Sequence, residues 1–143
     1  MLRVLRVCLV LLGVSAVVIA LSIFILGAQA TAAMGERVFG WAAGGGGPAG
    51  EHWPATMDSE LRFYAALWGA YGIVVLRTAW KLPQTLGQIP WLIGVFFAGG
   101  VGRILSHLSV GAPHPFFTAL MVVELVLPVV MAGLWLGARR EVR

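Results

Sequence analysis

Four long apolar runs, at residues 7–27, 61–79, 89–108 and 116–136, alternate with stretches in which glycine, proline and charge accumulate. Each run is about 20 residues, the length a helix needs to cross a bilayer hydrocarbon core of about 30 Å. The pattern predicts one all-α domain over residues 1–143, an integral membrane four-helix bundle without tandem repeats. The connections are 28–60, 80–88 and 109–115.

Basic residues orient these spans. Arg3 and Arg6, Arg77 and Lys81, and Arg139, Arg140 and Arg143 flank apolar runs. The long first connection offers Arg37 against Glu36, Glu51 and Asp58, and the third has neither Lys nor Arg. The positive-inside rule places both termini and the 80–88 connection in the cytoplasm, and Trp80, Trp91 and Trp135 fall at the same inner interface. In a bacterium, that membrane is the inner membrane. The first run also resembles a secretory signal, with Ala28-Gln29-Ala30 as a cleavage site. A signal core is about 7–15 residues, so the length of the run favours an uncleaved first helix.

Composition narrows the class. Of 143 residues, 59% are hydrophobic and 11% charged, and mean hydropathy is +0.90. A soluble domain carries about 25% charged residues, which excludes an ordinary cytosolic enzyme or a disordered tail. The net charge of +4 is spent at span ends and leaves no basic stripe for nucleic acid. Cys8 is the sole cysteine; it allows no internal disulfide and reads as a small packed hydrophobe.

Within the first connection, Gly44-Gly45-Gly46-Gly47-Pro48 reads as a flexible external linker, because no Gly-Lys-Ser/Thr follows to make a phosphate cradle. A short interfacial helix is expected at 34–41, presenting Val38, Phe39 and Trp41 to lipid. Asp58-Ser59 suits the N-cap of the second span, with Glu60 and Leu61 in its first turn. Pro83, Pro90, Pro113 and Pro115 sit where a missing N–H costs little. Ala16-x-x-x-Ala20, Ala65-x-x-x-Gly69, Ala66-x-x-x-Ala70 and Ala98-x-x-x-Gly102 permit close helix approach.

Ionisable groups inside a span are costly and turn toward the bundle interior or water. Arg103 lies about 7–8 Å below the outer boundary and Glu124 about 12 Å, at 1.5 Å per residue, so a structural Arg103–Glu124 ion pair is expected. Gly99/Gly100, Arg103, Ser106/His107 and Val110 share one helix face; Phe117, Leu120/Met121, Glu124 and Leu127/Pro128 share another. Pro128 has no N–H for the Glu124 carbonyl, which favours a kink, a water or a ligand contact there. Arg62, Tyr64, Arg103, Ser106, His107 and Glu124, with His114 at the rim, form a candidate polar pocket toward the outer leaflet. The plainer alternative is that Arg103 and Glu124 only staple two helices together. The spacing of His107 and His114 is not that of metal ligands on one helix, so no metal or other cofactor is expected. Ser106 and His107 point in different directions, which argues against a nucleophile–base pair.

The stretch Asp58-Ser59-Glu60-Leu61-Arg62-Phe63-Tyr64-Ala65-Ala66-Leu67-Trp68 continues in kind with Gly99-Gly100-Val101-Gly102-Arg103-Ile104-Leu105-Ser106. Then come Gly111-Ala112-Pro113-His114-Pro115, Glu124-Leu125 and Pro128. Together they resemble small bacterial four-helix membrane proteins known only as a domain of unknown function. The likeness covers the second to fourth spans. It implies a four-span inner-membrane protein and adds weight to Glu60, Arg62, Arg103, Ser106, His114 and Glu124, but it implies no mechanism. The architecture is also similar, at fold level, to small four-span proteins that accompany quinone-linked or sterol-modifying complexes.

The function expected from these residues is binding or accessory. The polar pocket would hold a membrane lipid, a quinone-like amphiphile or a partner helix, with a larger complex or a homo-oligomer as possible assembly. The alternative is a membrane enzyme using Glu124 as general acid/base with His107 or His114; no catalytic constellation accompanies it. A proton or ion pathway ranks last, because the inner halves of the spans are almost devoid of polar groups.

Overall fold

The computed structural model describes residues 1–39, 55–112 and 115–142. The regular elements there are all helical: α1 (Leu2–Leu26), α2 (Ala28–Phe39), α3 (Ala55–Trp80), α4 (Ile89–Val110) and α5 (Pro115–Val142), with a 3-10 turn, Leu86–Gln88, leading into α4. Three stretches, Leu2–Leu26, Leu86–Val110 and Phe117–Val142, are long and apolar enough to cross a membrane. α3 is as long, at 26 residues, but Arg62, Tyr64, Trp68, Tyr71 and Arg77 dilute its apolar content. The glycine tract 44–47, Trp41, Pro113 and His114 lie outside the described residues.

The apolar side chains divide between packing and exposure. Val4, Leu11, Val18 and Ile25 on α1, Val95, Leu105 and Leu108 on α4, and Val122, Val126 and Val129 on α5 are more than half exposed. An apolar surface of this extent is costly in water and suits acyl chains. This is a membrane protein. The chain divides into two compact units, Leu12–Val74 and Met1–Leu11 with Val75–Arg143.

In the unit Leu12–Val74, small residues bring α1 and α3 together. Ala16, Ala20 and Ala65 are buried. A Cβ on Gly72 would stand 2.8 Å from Val17 Cγ2 and 3.0 Å from the Gly13 carbonyl oxygen, and one on Gly69 would stand 3.3 Å from Ala20 Cβ. The Ala66/Ala70 pair faces outward instead; it lies about a third of a turn round α3 from the face of Ala65, Gly69 and Gly72.

α1 ends at Gly27, whose φ of +87° is open to glycine and strained for other residues. Gly27 N–H donates to the Ile23 carbonyl (2.9 Å), and its own carbonyl accepts from Thr31 Oγ1 (2.9 Å), so α2 begins at once. The short helix therefore starts at Ala28, well before the expected 34–41. Arg62 closes this junction: Nη1 donates to the Phe24 carbonyl at 2.7 Å while Nε pairs with Asp58 at 2.7 Å. Asp58 sits inside the first turn of a helix that starts at Ala55, not at its N-cap, and its carboxylate pairs with Arg62 one turn on.

In the other unit, Leu5, Leu9, Val75, Thr78, Ile89 and Met131 are fully buried, and α4 packs along α5. The connection between α3 and α4 is tied down by side chains. Thr78 Oγ1 donates to Gln88 Oε1 (3.0 Å), and Thr85 Oγ1 donates to the Thr78 carbonyl (2.8 Å). Arg6 Nη2 donates to the Leu82 carbonyl (2.9 Å), and Trp135 Nε1 to that of Leu86 (2.8 Å). The N-terminal amine pairs with Glu141 at 2.9 Å.

Gly72→Val should lower thermal stability in detergent by about 1–3 kcal/mol, since the added atoms meet the α1 backbone. Gly99→Ala, whose Cβ meets nothing within 4 Å, should leave stability unchanged or raise it by up to about 1 kcal/mol. Equal losses in both would contradict the assigned packing face.

Candidate functional site

Arg103 and Glu124 form an ion pair between α4 and α5, with Arg103 Nε 2.6 Å from Glu124 Oε2. The geometry begins with Gly100, one turn before Arg103. A Cβ there would stand 3.0 Å from Leu125 Cγ and 3.1 Å from Glu124 Cβ. The absence of a side chain lets the α4 backbone settle on α5 at the level of the acid. Ala98 and Gly102 face outward and take no part in this approach.

The two partners differ in exposure. The Glu124 side chain is 11% exposed and that of Arg103 is 38% exposed. A carboxylate this buried needs a charged donor, and Arg103 supplies one. Nε makes the contact, and among the described residues Nη1 and Nη2 have no hydrogen-bond acceptor. The guanidinium also lies over the Phe117 ring, 6.0 Å from its centroid, at the outer range of a cation–π contact. Pro128 lies inside α5, which continues through it, so the Glu124 carbonyl lacks its usual helical donor.

His107 follows Arg103 by one turn on the same face of α4. Its Nδ1 is buried and, among the described residues, has no hydrogen-bond partner. Its carbonyl accepts from Gly111 N–H at 3.1 Å, where α4 ends. Ser106 is exposed. Among the described residues, no three His, Cys, Asp or Glu side chains gather to hold a metal ion.

Arg62 and Tyr64 belong to the unit Leu12–Val74. Arg62 serves the carbonyls at the end of α1, a role invisible in the sequence because Phe24 is 38 residues away. Tyr64 is 58% exposed and packs edge-on against Phe63, with ring centroids 5.7 Å apart. His114 lies outside the described residues.

Helices able to span a bilayer, two of them joined by an ion pair between facing side chains, define an all-α membrane protein. The chain belongs to the family described as Domain of unknown function (DUF4345), whose model matches residues 4–136. No curated protein and no solved structure matches it.

His107→Phe should be at least as stable as the natural chain in detergent, because it removes a buried polar atom that has no partner in the described structure. Thermal unfolding reads this. A loss above about 1 kcal/mol would mean that Nδ1 is satisfied in the folded protein.

Proposed function

We propose that this is a small multi-pass binding or accessory protein of the bacterial inner membrane. On this reading α3 is the fourth span, and both termini and the connection before α4 are cytoplasmic. Its site takes the polar head of an amphiphile, a lipid or quinone-like molecule, or a polar group on a partner helix, from the outer-leaflet side.

The observation that carries the proposal is the state of Arg103. Its Nε is committed to Glu124, its Cζ lies 6.0 Å from the Phe117 ring centroid, and its side chain remains 38% exposed. Burying the whole guanidinium would cost desolvation, and the exposed part is free of that cost. Arg103 retains a fork that can bind an anionic or carbonyl oxygen through charge-assisted hydrogen bonds. His107 Nδ1, one turn away, is a second polar atom awaiting a partner. The enzyme alternative requires a carboxyl free to exchange protons with substrate, whereas Glu124 is buried and held by Arg103. Binding is the better supported reading.

Native mass spectrometry of the protein gently extracted from its own membrane tests it, with Arg103→Lys as comparison. That variant retains a cation opposite Glu124 but loses the planar fork. A co-purifying lipid, quinone or protein, reduced about tenfold or more in the variant, is the expected result. A bare chain, or an adduct equally retained by both proteins, would overturn the proposal.

A further inference from the structure

We propose that the end of the molecule opposite Arg103, where α1 starts, α4 starts and α5 finishes, is a recognition surface for anionic phospholipid headgroups, anchored by Arg139. It is about 20 Å from Arg103 along α4 at 1.5 Å per residue, and it does not depend on the function proposed for that residue.

The anchor is built from the backbone outward. The Leu86 carbonyl accepts the Trp135 indole N–H at 2.8 Å, which fixes the ring. The Arg139 guanidinium stacks on that ring, 4.8 Å from its centroid. A stacked guanidinium retains its in-plane donors, and it has already lost much of the rotamer freedom that ligand binding would remove. Arg140 follows it in the last turn of α5, and Arg77 and Lys81 are exposed at the end of α3. The connection carrying Lys81 is held in place by the Thr78, Thr85 and Arg6 hydrogen bonds.

Charge at this end is not balanced within the chain. Glu141 is paired with the N-terminal amine at 2.9 Å. The side chains of Arg3, Arg77, Lys81, Arg139 and Arg140 have no acidic partner among the described residues. Trp80 and Trp91 are 82% and 79% exposed, indoles of the kind that settle at the headgroup level of a bilayer. Cations alone would suit a nucleic acid or an acidic protein equally. Cations flanked by bare indoles, at the end of apolar helices, suit a phosphodiester headgroup whose acyl chains lie along those helices.

The test uses the purified full chain in neutral detergent, titrated with phosphatidylglycerol or with phosphatidylcholine of the same acyl chains, and native mass spectrometry of the adducts. Phosphatidylglycerol should be retained several-fold more than phosphatidylcholine. Lys81→Gln with Arg139→Gln should reduce that retention at about fivefold per cation, at an unchanged unfolding temperature because both side chains are exposed. Trp135→Phe, which leaves every cation in place but removes the indole N–H, should lose part of the preference. Equal retention of the two lipids would overturn the proposal. So would a phosphatidylglycerol preference that survives the double substitution, or one lost alike to RNA or to an acidic peptide as competitor.

Discussion

A charge inside an apolar span raises the free energy of the membrane-inserted chain, by about 2.5–3.5 kcal/mol for an arginine near a helix centre on insertion scales. This protein carries two such charges on facing helices and brings them to 2.6 Å. That contact constrains what surrounds it. α4 must approach α5 closely enough for the arginine Nε to reach a buried carboxylate, so position 100 has no side chain. Glu124 must be accessible from α4 and shielded elsewhere, which the Leu125 contact with Gly100 helps to achieve. On the binding reading proposed above, the remaining guanidinium donors are the groups that a ligand would address, with the buried His107 Nδ1 one turn away.

Arginine performs a second kind of work in the chain, at breaks in the helices. Arg62 donates to the last carbonyls of α1, and Arg6 donates to the Leu82 carbonyl after α3. In water such carbonyls are solvated; near a bilayer an internal donor is worth more, because an unsatisfied backbone group there costs several kcal/mol. Arg6 lies near the start of α1 and Arg62 meets its end, so a cytoplasmic excess of cations can account for the charge of only one of them. Their hydrogen bonds complete the backbone where a helix ends or a connection begins.

The helices and the ion pair were legible in the sequence because they follow from local periodicity and depth. Apolar runs of about 20 residues gave α1, α4 and α5, and the rise per residue set Arg103 near the level of Glu124. The small-residue patterns were only partly informative. Ala16, Ala20, Ala65 and Gly69 pack, whereas Ala66, Ala70, Ala98 and Gly102 face outward; a four-residue spacing identifies a helix face without saying which neighbour meets it. Gly100, the glycine that seats α4 on α5, belonged to no such pattern. The Arg62 cap and the Trp135–Leu86 bond were not legible, since each joins residues far apart in the chain to a backbone carbonyl, which carries no sequence signal. The start of α2 followed from Gly27, whose positive φ turns the chain in one residue where a longer connection was expected.

The most direct test of the central interaction is a double-mutant cycle on Arg103 and Glu124 in lipid nanodiscs, with unfolding free energy as the readout. Arg103→Glu and Glu124→Arg each place like charges on facing helices, and each should destabilise the protein by about 3 kcal/mol or more. Combined, they restore opposite charges, and at least half of the summed loss should be recovered. Strictly additive losses would show that the two side chains do not interact in the membrane, and the site built around them would fall with that result.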